Sequence, residues 1–243
     1  MTVTGFRRLL ASIGRESARI VLPSRCIGCD GELPLTGRKA SCCLECWRRL
    51  PLITTAICRS CGFPSELPVG TSFVCIECTS ASPLCSSFFA GGHYRGVLEK
   101  VLVAFKFHKH DFLSRHLADL LLEAVPLGGF DLVVPVPLHP RRLRSRGYNQ
   151  SELLSRRFAK IRRLEHSASI LERSRETPPQ TALGRAERAK NVRKAFLAST
   201  EVGGRKVLLI DDVCTTGATI QECARALLKA GAAEVHAAVV ARA

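Results

Sequence analysis

Four closely spaced pairs of cysteines constrain this chain of 243 residues more than any other feature. Each pair has the form C-x-x-C: Cys26 and Cys29, Cys43 and Cys46, Cys58 and Cys61, and Cys75 and Cys78. Thirteen residues separate the first pair from the second, and thirteen separate the third from the fourth. A shift of 32 positions therefore maps the first four cysteines onto the second four, which makes the cysteine frame an internal repeat.

The spacing is typical of metal binding. Two cysteines three positions apart on a tight turn present both thiolates to one ion, and a second pair closes a tetrahedral site. We therefore predict two structural zinc sites, each with four thiolate ligands and no open position for a substrate. Disulfides and an iron–sulfur cluster are the alternatives. Spacing alone leaves sequential and interleaved ligand sets open, but the repeat favours sequential sets because each set is then self-contained.

The residues before the first cysteine pair predict a short amphipathic helix. Arginines interrupt the apolar residues there and leave no continuous apolar stretch of the kind found in a signal peptide. No apolar run approaches the roughly 18 residues that a membrane span requires. We therefore expect a cytoplasmic protein, in which reduced thiols favour metal sites over disulfides.

The positive charge is concentrated in one part of the chain. Residues 141–194 carry 16 basic and 5 acidic side chains, which supply +11 of the formal net charge of +15. This concentration predicts a polyanionic partner, such as pyrophosphate, a sugar phosphate or nucleic acid. The alternative is compositional, because arginine outnumbers lysine 27 to 9 and many charges on a protein surface face only water.

From about residue 86 the sequence alternates between buried strands and amphipathic helices. We predict strands at 88–90, 132–136, 207–210 and 235–240, and helices at 96–107, 113–125 and 151–164, with a last helix that ends near Lys229. This alternation predicts an α/β fold with a mainly parallel sheet flanked by helices, in which ligands bind beyond the carboxyl ends of the strands. We therefore divide the chain into residues 1–85, an N-terminal helix with a small double zinc-ribbon domain, and residues 86–243, the α/β domain.

Two strand ends carry unusual chemistry, and the first follows the strand at 207–210. Asp211 and Asp212 come directly after the strand, and a hydroxyl-rich turn at Thr215–Thr219 opens the next helix. Backbone N–H groups at a helix N-terminus bind anions, and Gly217 lets the backbone approach a phosphate closely. The two carboxylates suit adjacent sugar hydroxyls or a magnesium ion. The combination predicts a site for a sugar that carries a phosphate, whereas a simple helix cap would need only one such side chain.

The second strand end is rich in arginine. After the strand at 132–136, four arginines lie within six positions: Arg141, Arg142, Arg144 and Arg146. The arginine side chain presents a fork of donors that suits phosphate oxygens. Lys106, near the end of an earlier predicted helix, is a further candidate for phosphate binding. The sequence therefore predicts an anion-binding loop here, and Gln150 leads into the next helix.

The stretch VLLIDDVCTTGAT at Val207–Thr219 resembles the phosphoribosyl diphosphate (PRPP) signature of type I phosphoribosyltransferases. Together with the four C-x-x-C pairs and the stretch PVPLHPRRLRSRGYNQ at Pro135–Gln150, the whole arrangement resembles the ComF family of competence-associated proteins. The resemblance implies that Asp211 and Asp212, as the catalytic pair, hold the ribose hydroxyls. The PRPP-binding residues that it implies are Thr215, Thr216, Gly217, Ala218, Thr219, Leu138, His139, Arg141, Arg146 and Lys106. It also implies a flexible hood over the substrate that contains Thr177, Gln180, Arg188 and Asn191.

The resemblance implies a PRPP-binding, phosphoribosyltransferase-like protein with a role in DNA uptake and natural transformation. Its expected cofactors are two structural Zn²⁺ ions and a Mg²⁺ ion that accompanies PRPP. Its expected partners are PRPP, single-stranded DNA and proteins of the DNA-uptake machinery. Two other functions stay open, a phosphoribosyltransferase of nucleobase salvage and a non-catalytic module that senses PRPP. The zinc repeat argues against plain salvage, because that chemistry does not need it.

Overall fold

The structure is a computed structural model that describes residues 25–33, 41–80, 84–107, 110–175 and 191–243. The described residues before Pro51 form one compact unit, and those from Pro51 onward form a second. The helix predicted before Cys26 lies outside the described residues. Our division of the chain at residues 85 and 86 stays a proposal, and the compact units of the structure divide after Leu50.

The smaller unit contains the first four cysteines and one short helix, α1 (Leu44–Arg48). Cys43 precedes this helix with an extended backbone, and its sulfur accepts a hydrogen bond from the N–H of Cys46 at 3.4 Å. The cysteine therefore takes the place of the serine or aspartate that usually caps a helix N-terminus.

The larger unit contains nine strands among its described residues. They are β1 (Thr55–Ile57), β2 (Pro64–Pro68), β3 (Ser87–His93), β4 (Leu132–Pro135), β5 (Glu165–His166), β6 (Leu171–Arg173), β7 (Phe196–Ala198), β8 (Lys206–Cys214) and β9 (Glu234–Arg242). Five of them form one sheet in the order β3-β9-β8-β4-β5, in which every neighbouring pair is parallel. The predicted parallel sheet is therefore confirmed. Two antiparallel pairs, β1 with β2 and β6 with β7, lie outside it.

The larger unit also contains six α-helices among its described residues. They are α2 (Ile76–Thr79), α3 (Gly96–Phe107), α4 (Ser114–Ala124), α5 (Pro140–Arg146), α6 (Gln150–Arg162) and α7 (Ala218–Lys229). Alternate residues of the central strands, such as Val207 and Leu209, share one buried cluster with Ile220 and Leu227 of α7. The residues between them point to the opposite face of the sheet, where α4 and α6 pack. Both faces are therefore covered, as a parallel sheet requires.

One segment that we expected to be a loop forms a helix. The arginine-rich stretch after β4 is α5, which begins after His139 and has Pro140 in its first turn. The ring Nδ1 of His139 accepts a hydrogen bond from the N–H of Arg141 at 3.4 Å, and Gly147 ends the helix in a left-handed conformation. A capping side chain, a proline at the start and a glycine after the end are local signals for a short helix. Here they outweigh the loop character that the charges suggested.

Gly62 shows how tightly the second cysteine-rich segment packs on the sheet. Its φ is +69°, and its N–H donates to the carbonyl of Cys58 at 2.8 Å to close a turn. A Cβ at this position would lie 2.3 Å from the ring of Phe88, a buried residue of β3. Only glycine satisfies both the backbone angle and the contact.

We predict that Gly62→Ala lowers the free energy of unfolding by about 2–3 kcal/mol, because it adds overpacking against Phe88 to left-handed strain. Gly70→Ala is the matched control, since Gly70 has a φ of +88° and a Cβ added there would meet no atom within 4 Å. The control should cost only the backbone strain, about 1 kcal/mol. Urea unfolding of both variants measures the difference, and equal losses would contradict the packing argument.

Candidate functional site

The first four cysteines form one cluster, whose sulfur atoms all lie within 4.8 Å of one another. The sulfurs of Cys29 and Cys43 are 3.9 Å apart. Two ligands of a tetrahedral zinc ion with Zn–S bonds of about 2.3 Å are separated by about 3.8 Å. Burial raises the pKa of Cys26, but the backbone N–H groups of Cys43, Cys29 and Gly28 lower it, to a net value of about 6. The thiolate form that a metal ligand requires is therefore favoured at Cys26, whereas burial and hydrogen bonding with neighbouring thiols raise the pKa of Cys46.

The second four cysteines repeat this arrangement within the larger unit. Cys58, Cys61, Cys75 and Cys78 lie within the same 4.8 Å limit, and the sulfurs of Cys61 and Cys75 are 3.7 Å apart. The N–H of Cys75 donates to the sulfur of Cys58 at 3.3 Å, as the N–H of Cys43 donates to that of Cys26 at 3.2 Å. The sequential ligand sets are therefore confirmed. Each set fits one structural Zn²⁺ ion in number, chemistry and spacing of its donors.

A cleft of about 540 Å³ opens where β4 and β8 end. The two strands pair in parallel, with Pro135 opposite Ile210, so the segments that follow them start side by side. The chain continues from β4 toward β5 on one side and from β8 toward β9 on the other. Ligands of open α/β sheets bind at such a change of direction, and the volume is typical of small-molecule sites, roughly 300–1,000 Å³.

Two adjacent carboxylates form the floor of the cleft. Asp211 accepts hydrogen bonds at Oδ1 from the hydroxyl of Ser151 at 2.7 Å and from the N–H of Asp212 at 2.9 Å. The buried carboxylate of Asp212 forms an ion pair with Nζ of Lys106 at 3.2 Å. Both residues border the cleft, and each carboxylate has acceptor capacity beyond these contacts that a ligand can use.

Burial raises the pKa of Asp211 to about 7, and the negative charge of Asp212 adds to the effect. The hydroxyl of Ser151 and the ammonium of Lys106 act in the opposite direction but do not cancel it. The two carboxylates therefore share a site in which one proton is readily held near neutral pH. A carboxyl group perturbed in this way within a cleft is a mark of a functional site.

The turn after the carboxylates forms a second, smaller niche of about 40 Å³. Gly217, with a φ of +79°, precedes the first turn of α7, and the hydroxyl oxygen of Thr216 accepts from the N–H of Ala218 at 3.4 Å. The whole of Thr215–Thr219 borders this niche, and Asp211 and Thr219 border both the niche and the cleft. We call Thr215–Thr219 the phosphate loop, because backbone N–H groups at the start of a helix suit an anion.

Cationic side chains, which we call the cationic wall, also border the cleft, among them Arg142, Arg146 and Arg173. Arg146 donates to the side-chain oxygen of Gln150 at 2.7 Å and lies 5.2 Å from the ring centre of Phe107. Burial lowers the pKa of both Arg146 and Arg173, and Arg142 contributes to each shift. Partly desolvated, mutually repelling guanidinium groups would gain from an anion placed between them.

The structure brings most of the predicted anion-binding residues together. Lys106, Leu138 and Arg146 border the cleft. His139 instead caps α5, and the exposed Arg141 is not among the residues that border the cleft in the described part of the chain. Of the predicted hood, Thr177, Gln180 and Arg188 lie outside the described residues. The fourth hood residue, Asn191, is described, and its carbonyl accepts from Arg175 at 2.9 Å.

Several cleft residues had no assigned role in the sequence-based prediction, among them Ser151, Tyr94 and Arg173. Ser151 reaches Asp211 across 60 positions of the chain, and Tyr94 follows β3. Arg173 ends β6, which pairs with β7 beyond the undescribed segment 176–190. A β-pair of three residues on each side leaves little periodicity to read, so only the presence of an arginine before the predicted hood offered a signal.

Comparison with known families agrees with this architecture. A model described as a double zinc ribbon domain matches residues 17–86, and one described as a phosphoribosyl transferase domain matches residues 149–243. The fold and these matches define the chain as a type I phosphoribosyltransferase-like protein that carries a double zinc ribbon. Among solved structures, the glutamine PRPP amidotransferase of B. subtilis overlaps 54% of this chain and 26% of its own, with 21% identity and a TM-score of 0.39.

Curated relatives extend over nearly the whole chain. Competence protein F of Haemophilus influenzae is 32% identical over 90% of this chain and 97% of its own length. The DNA utilization protein YhgH of Escherichia coli is 31% identical over 89% and 96%, and competence protein ComFC of Bacillus subtilis is 28% identical over 79% and 79%. The chain belongs to the ComF family. Within the described residues, none of the helices combines the length and hydrophobicity that a membrane span requires.

We predict that the stability advantage of Asp211→Asn over the wild type grows as the pH rises from about 5.5 to 8. The folded wild type keeps a proton on Asp211 up to about pH 7, whereas the unfolded chain releases it near pH 4, so ionisation of this group destabilises the fold as the pH rises. Urea unfolding of both chains at both pH values measures the effect. Their zinc sites are identical, so the pH dependence of metal binding cancels in the difference.

Asp119→Asn is the control, because it removes an exposed carboxylate of α4 that pairs with Arg157 at 3.6 Å. Its effect on stability should be small at both pH values. A stability difference between Asp211→Asn and the wild type that stays constant across this range would contradict the prediction.

Proposed function

We propose that this chain binds PRPP together with Mg²⁺ in the cleft between β4 and β8. The observation that carries the proposal is the juxtaposition of the Asp211–Asp212 pair, the phosphate loop and the cationic wall around one cleft. Each of the three suits one part of a phosphorylated sugar diphosphate. The carboxylates suit vicinal hydroxyls, the phosphate loop suits a phosphomonoester, and the arginines with Lys106 suit a diphosphate.

The residues also fit the Mg²⁺ ion that accompanies a diphosphate. Magnesium is commonly held by one or two carboxylates together with substrate phosphates, and Asp211 and Asp212 supply the carboxylates at the edge of the anionic site. When bound, the ion would help to neutralise the charge of a departing pyrophosphate. The guanidinium groups of Arg142, Arg146 and Arg173, which border the same cleft, would also neutralise the charge of the pyrophosphate.

The reaction that such a site supports is displacement of pyrophosphate from C1 of the ribose. The C1–O bond to pyrophosphate breaks, a nitrogen nucleophile forms the new bond to C1, and the nitrogen releases a proton. Positive charge develops on the sugar during the displacement. The carboxylates of Asp211 and Asp212 would bind the ribose hydroxyls and stabilise this positive charge. No side chain is assigned as general base, and the acceptor is not specified by these residues.

We also propose a role in the handling of DNA, which is supported by relatives that are named for competence and for the use of DNA. We propose single-stranded DNA as a partner, with the basic region around α5 as its contact surface. Arg141 and Arg144 are exposed on this helix and do not border the cleft in the described part of the chain, which favours them as contacts for a polyanion outside it. Proteins of the DNA-uptake machinery are further proposed partners.

We predict that calorimetric titration with PRPP and Mg²⁺ detects binding to the wild type, and that Asp211→Asn/Asp212→Asn weakens it at least about 50-fold. Each lost hydrogen bond to a charged group is worth about 1.5–3 kcal/mol, which sets this scale. Asp119→Asn, remote from the cleft, should bind like the wild type. A folded, zinc-loaded wild type that does not bind PRPP would refute the proposal, leaving nucleic-acid or partner binding as the function to test.

We predict that the affinity for a labelled oligothymidine falls steeply between about 50 and 200 mM salt, because arginine contacts release counterions from the strand. Arg141→Gln/Arg144→Gln should make the slope of log affinity against log salt shallower by about 1.4, at roughly 0.7 per lost contact. The control is Arg225→Gln, which removes one exposed arginine from α7. It should leave the slope nearly unchanged. An affinity that hardly varies with salt would contradict DNA binding through these arginines.

A further inference from the structure

A single buried guanidinium links the second zinc site to the phosphate loop. Arg242, at the end of β9, is only 5% exposed. Its Nε donates to the carbonyl of Cys61 at 3.1 Å, and Cys61 is a ligand in the second cysteine cluster. Its Nη1 donates to the carbonyls of Cys214, at 3.2 Å, and of Thr215, the first residue of the phosphate loop. One rigid, planar group therefore fixes the metal-binding turn and the phosphate loop relative to each other.

The backbone of β9 supports this connection. Arg242 pairs with Cys214 in the parallel ladder of β8 and β9, and the N–H of Ala243 donates to the carbonyl of Cys214 at 2.9 Å. The guanidinium therefore projects from a position that the sheet itself fixes beside the start of the loop. Because the carbonyls that it contacts are backbone groups, their position depends on the path of the chain and not on a side-chain rotamer.

A second contact joins the same two segments from the other end of the loop. Gln221 lies in the first turns of α7, and its own N–H donates to the carbonyl of Gly217 at 2.9 Å. Its side-chain Nε2 donates to the carbonyl of Ser60 at 3.4 Å, and Ser60 lies between the ligands Cys58 and Cys61. The turn between these two ligands is therefore linked through Arg242 to the beginning of the phosphate loop, and it contacts the helix after the loop through Gln221.

We propose that Arg242 is a positioning residue that couples the second zinc site to the phosphate loop, so that PRPP affinity depends on the metal held by Cys58, Cys61, Cys75 and Cys78. The proposal rests on the proposed binding of PRPP by this loop. The backbone N–H groups of the loop bind an anion only while they converge, and their convergence requires the carbonyls of Cys214 and Thr215 to stay in place. A tetrahedral metal site fixes the turn to which Arg242 is anchored, and metal loss releases that anchor.

The test compares Arg242→Gln and Arg242→Lys with the wild type in the full chain. Zinc content and urea unfolding establish that each variant is folded and metal-loaded, and calorimetry measures the affinity for PRPP with Mg²⁺. We expect Arg242→Gln to retain both zinc ions but to bind PRPP roughly tenfold more weakly, which is typical of the loss of coupling between two sites. Arg242→Lys, which keeps one charged donor, should recover part of the affinity. Arg225→Gln is the control for the loss of an arginine outside the link.

Amide hydrogen exchange supplies a readout that does not depend on PRPP. Exchange at residues 214–220 should accelerate in Arg242→Gln, while exchange in the central strands stays slow. Gln221→Leu, which removes the second contact without burying a charge, should produce a smaller acceleration and keeps the test usable if Arg242→Gln folds poorly. Cys75→Ser, which removes a metal ligand remote from Arg242 in sequence, should lower the zinc content and accelerate the same segment.

The outcomes separate this inference from the proposed function. If the wild type binds PRPP and Arg242→Gln binds it equally well with an unchanged loop, the coupling is refuted. If Cys75→Ser loses zinc while the loop keeps its protection, the dependence on the metal is refuted. If the folded wild type does not bind PRPP, the proposed function fails. The link is then tested by hydrogen exchange alone: faster exchange at residues 214–220 in Arg242→Gln supports it, and unchanged exchange refutes it.

Discussion

The parallel pairing of β8 with β4 on one side and β9 on the other is the constraint on which the rest of the site depends. The apolar residues of β8 are buried on both faces of the sheet, and its ladders with β4 and β9 fix the position of the strand. Asp211 and Asp212, which we expected directly after the strand, lie within its second half, because β8 extends to Cys214. Because β4 ends beside them, the arginine-rich helix begins next to the acid pair. The fold therefore brings together two groups of opposite charge that are some 65 positions apart in the chain.

This mixture of charges also determines which ligands the cleft suits. The buried pair Lys106–Asp212 and the raised pKa of Asp211 show that the carboxylates carry a desolvation cost in the absence of a ligand. The guanidinium groups of Arg146 and Arg173, in the cationic wall of the same cleft, carry a similar desolvation cost. A bare polyanion would satisfy the arginines and be repelled by the acids. A sugar that presents hydroxyls to the acids and phosphates to the cations satisfies both, which supports the phosphorylated ribose proposed for the cleft.

The parts of this architecture that the sequence predicted are those encoded locally. The cysteine spacing predicted both ligand sets, and the run of apolar residues before Asp211 predicted the central strand with the phosphate loop after it. Helix α5 was also encoded locally, by His139 and Gly147 at its ends, but the prediction gave the density of arginines more weight than the capping residues. The hydrogen bond of Ser151 to Asp211 and the position of Arg173 depend on tertiary packing across segments distant in sequence, and no local pattern encodes such contacts.

The two halves of the cysteine repeat share the same backbone turn but differ in the residues packed around it. A shift of 32 positions places Asp30 and Gly62 at equivalent sites, and both have a positive φ, 61° and 69°. The ligand turn therefore imposes the same left-handed geometry in both halves. In the first half, an exposed aspartate tolerates that geometry and pairs with Arg25 at 3.2 Å. In the second half, the ring of Phe88 occupies the space that any Cβ would need, so the same turn accepts only glycine. The metal frame alone does not require glycine at this position; the packing of the second half against the sheet does.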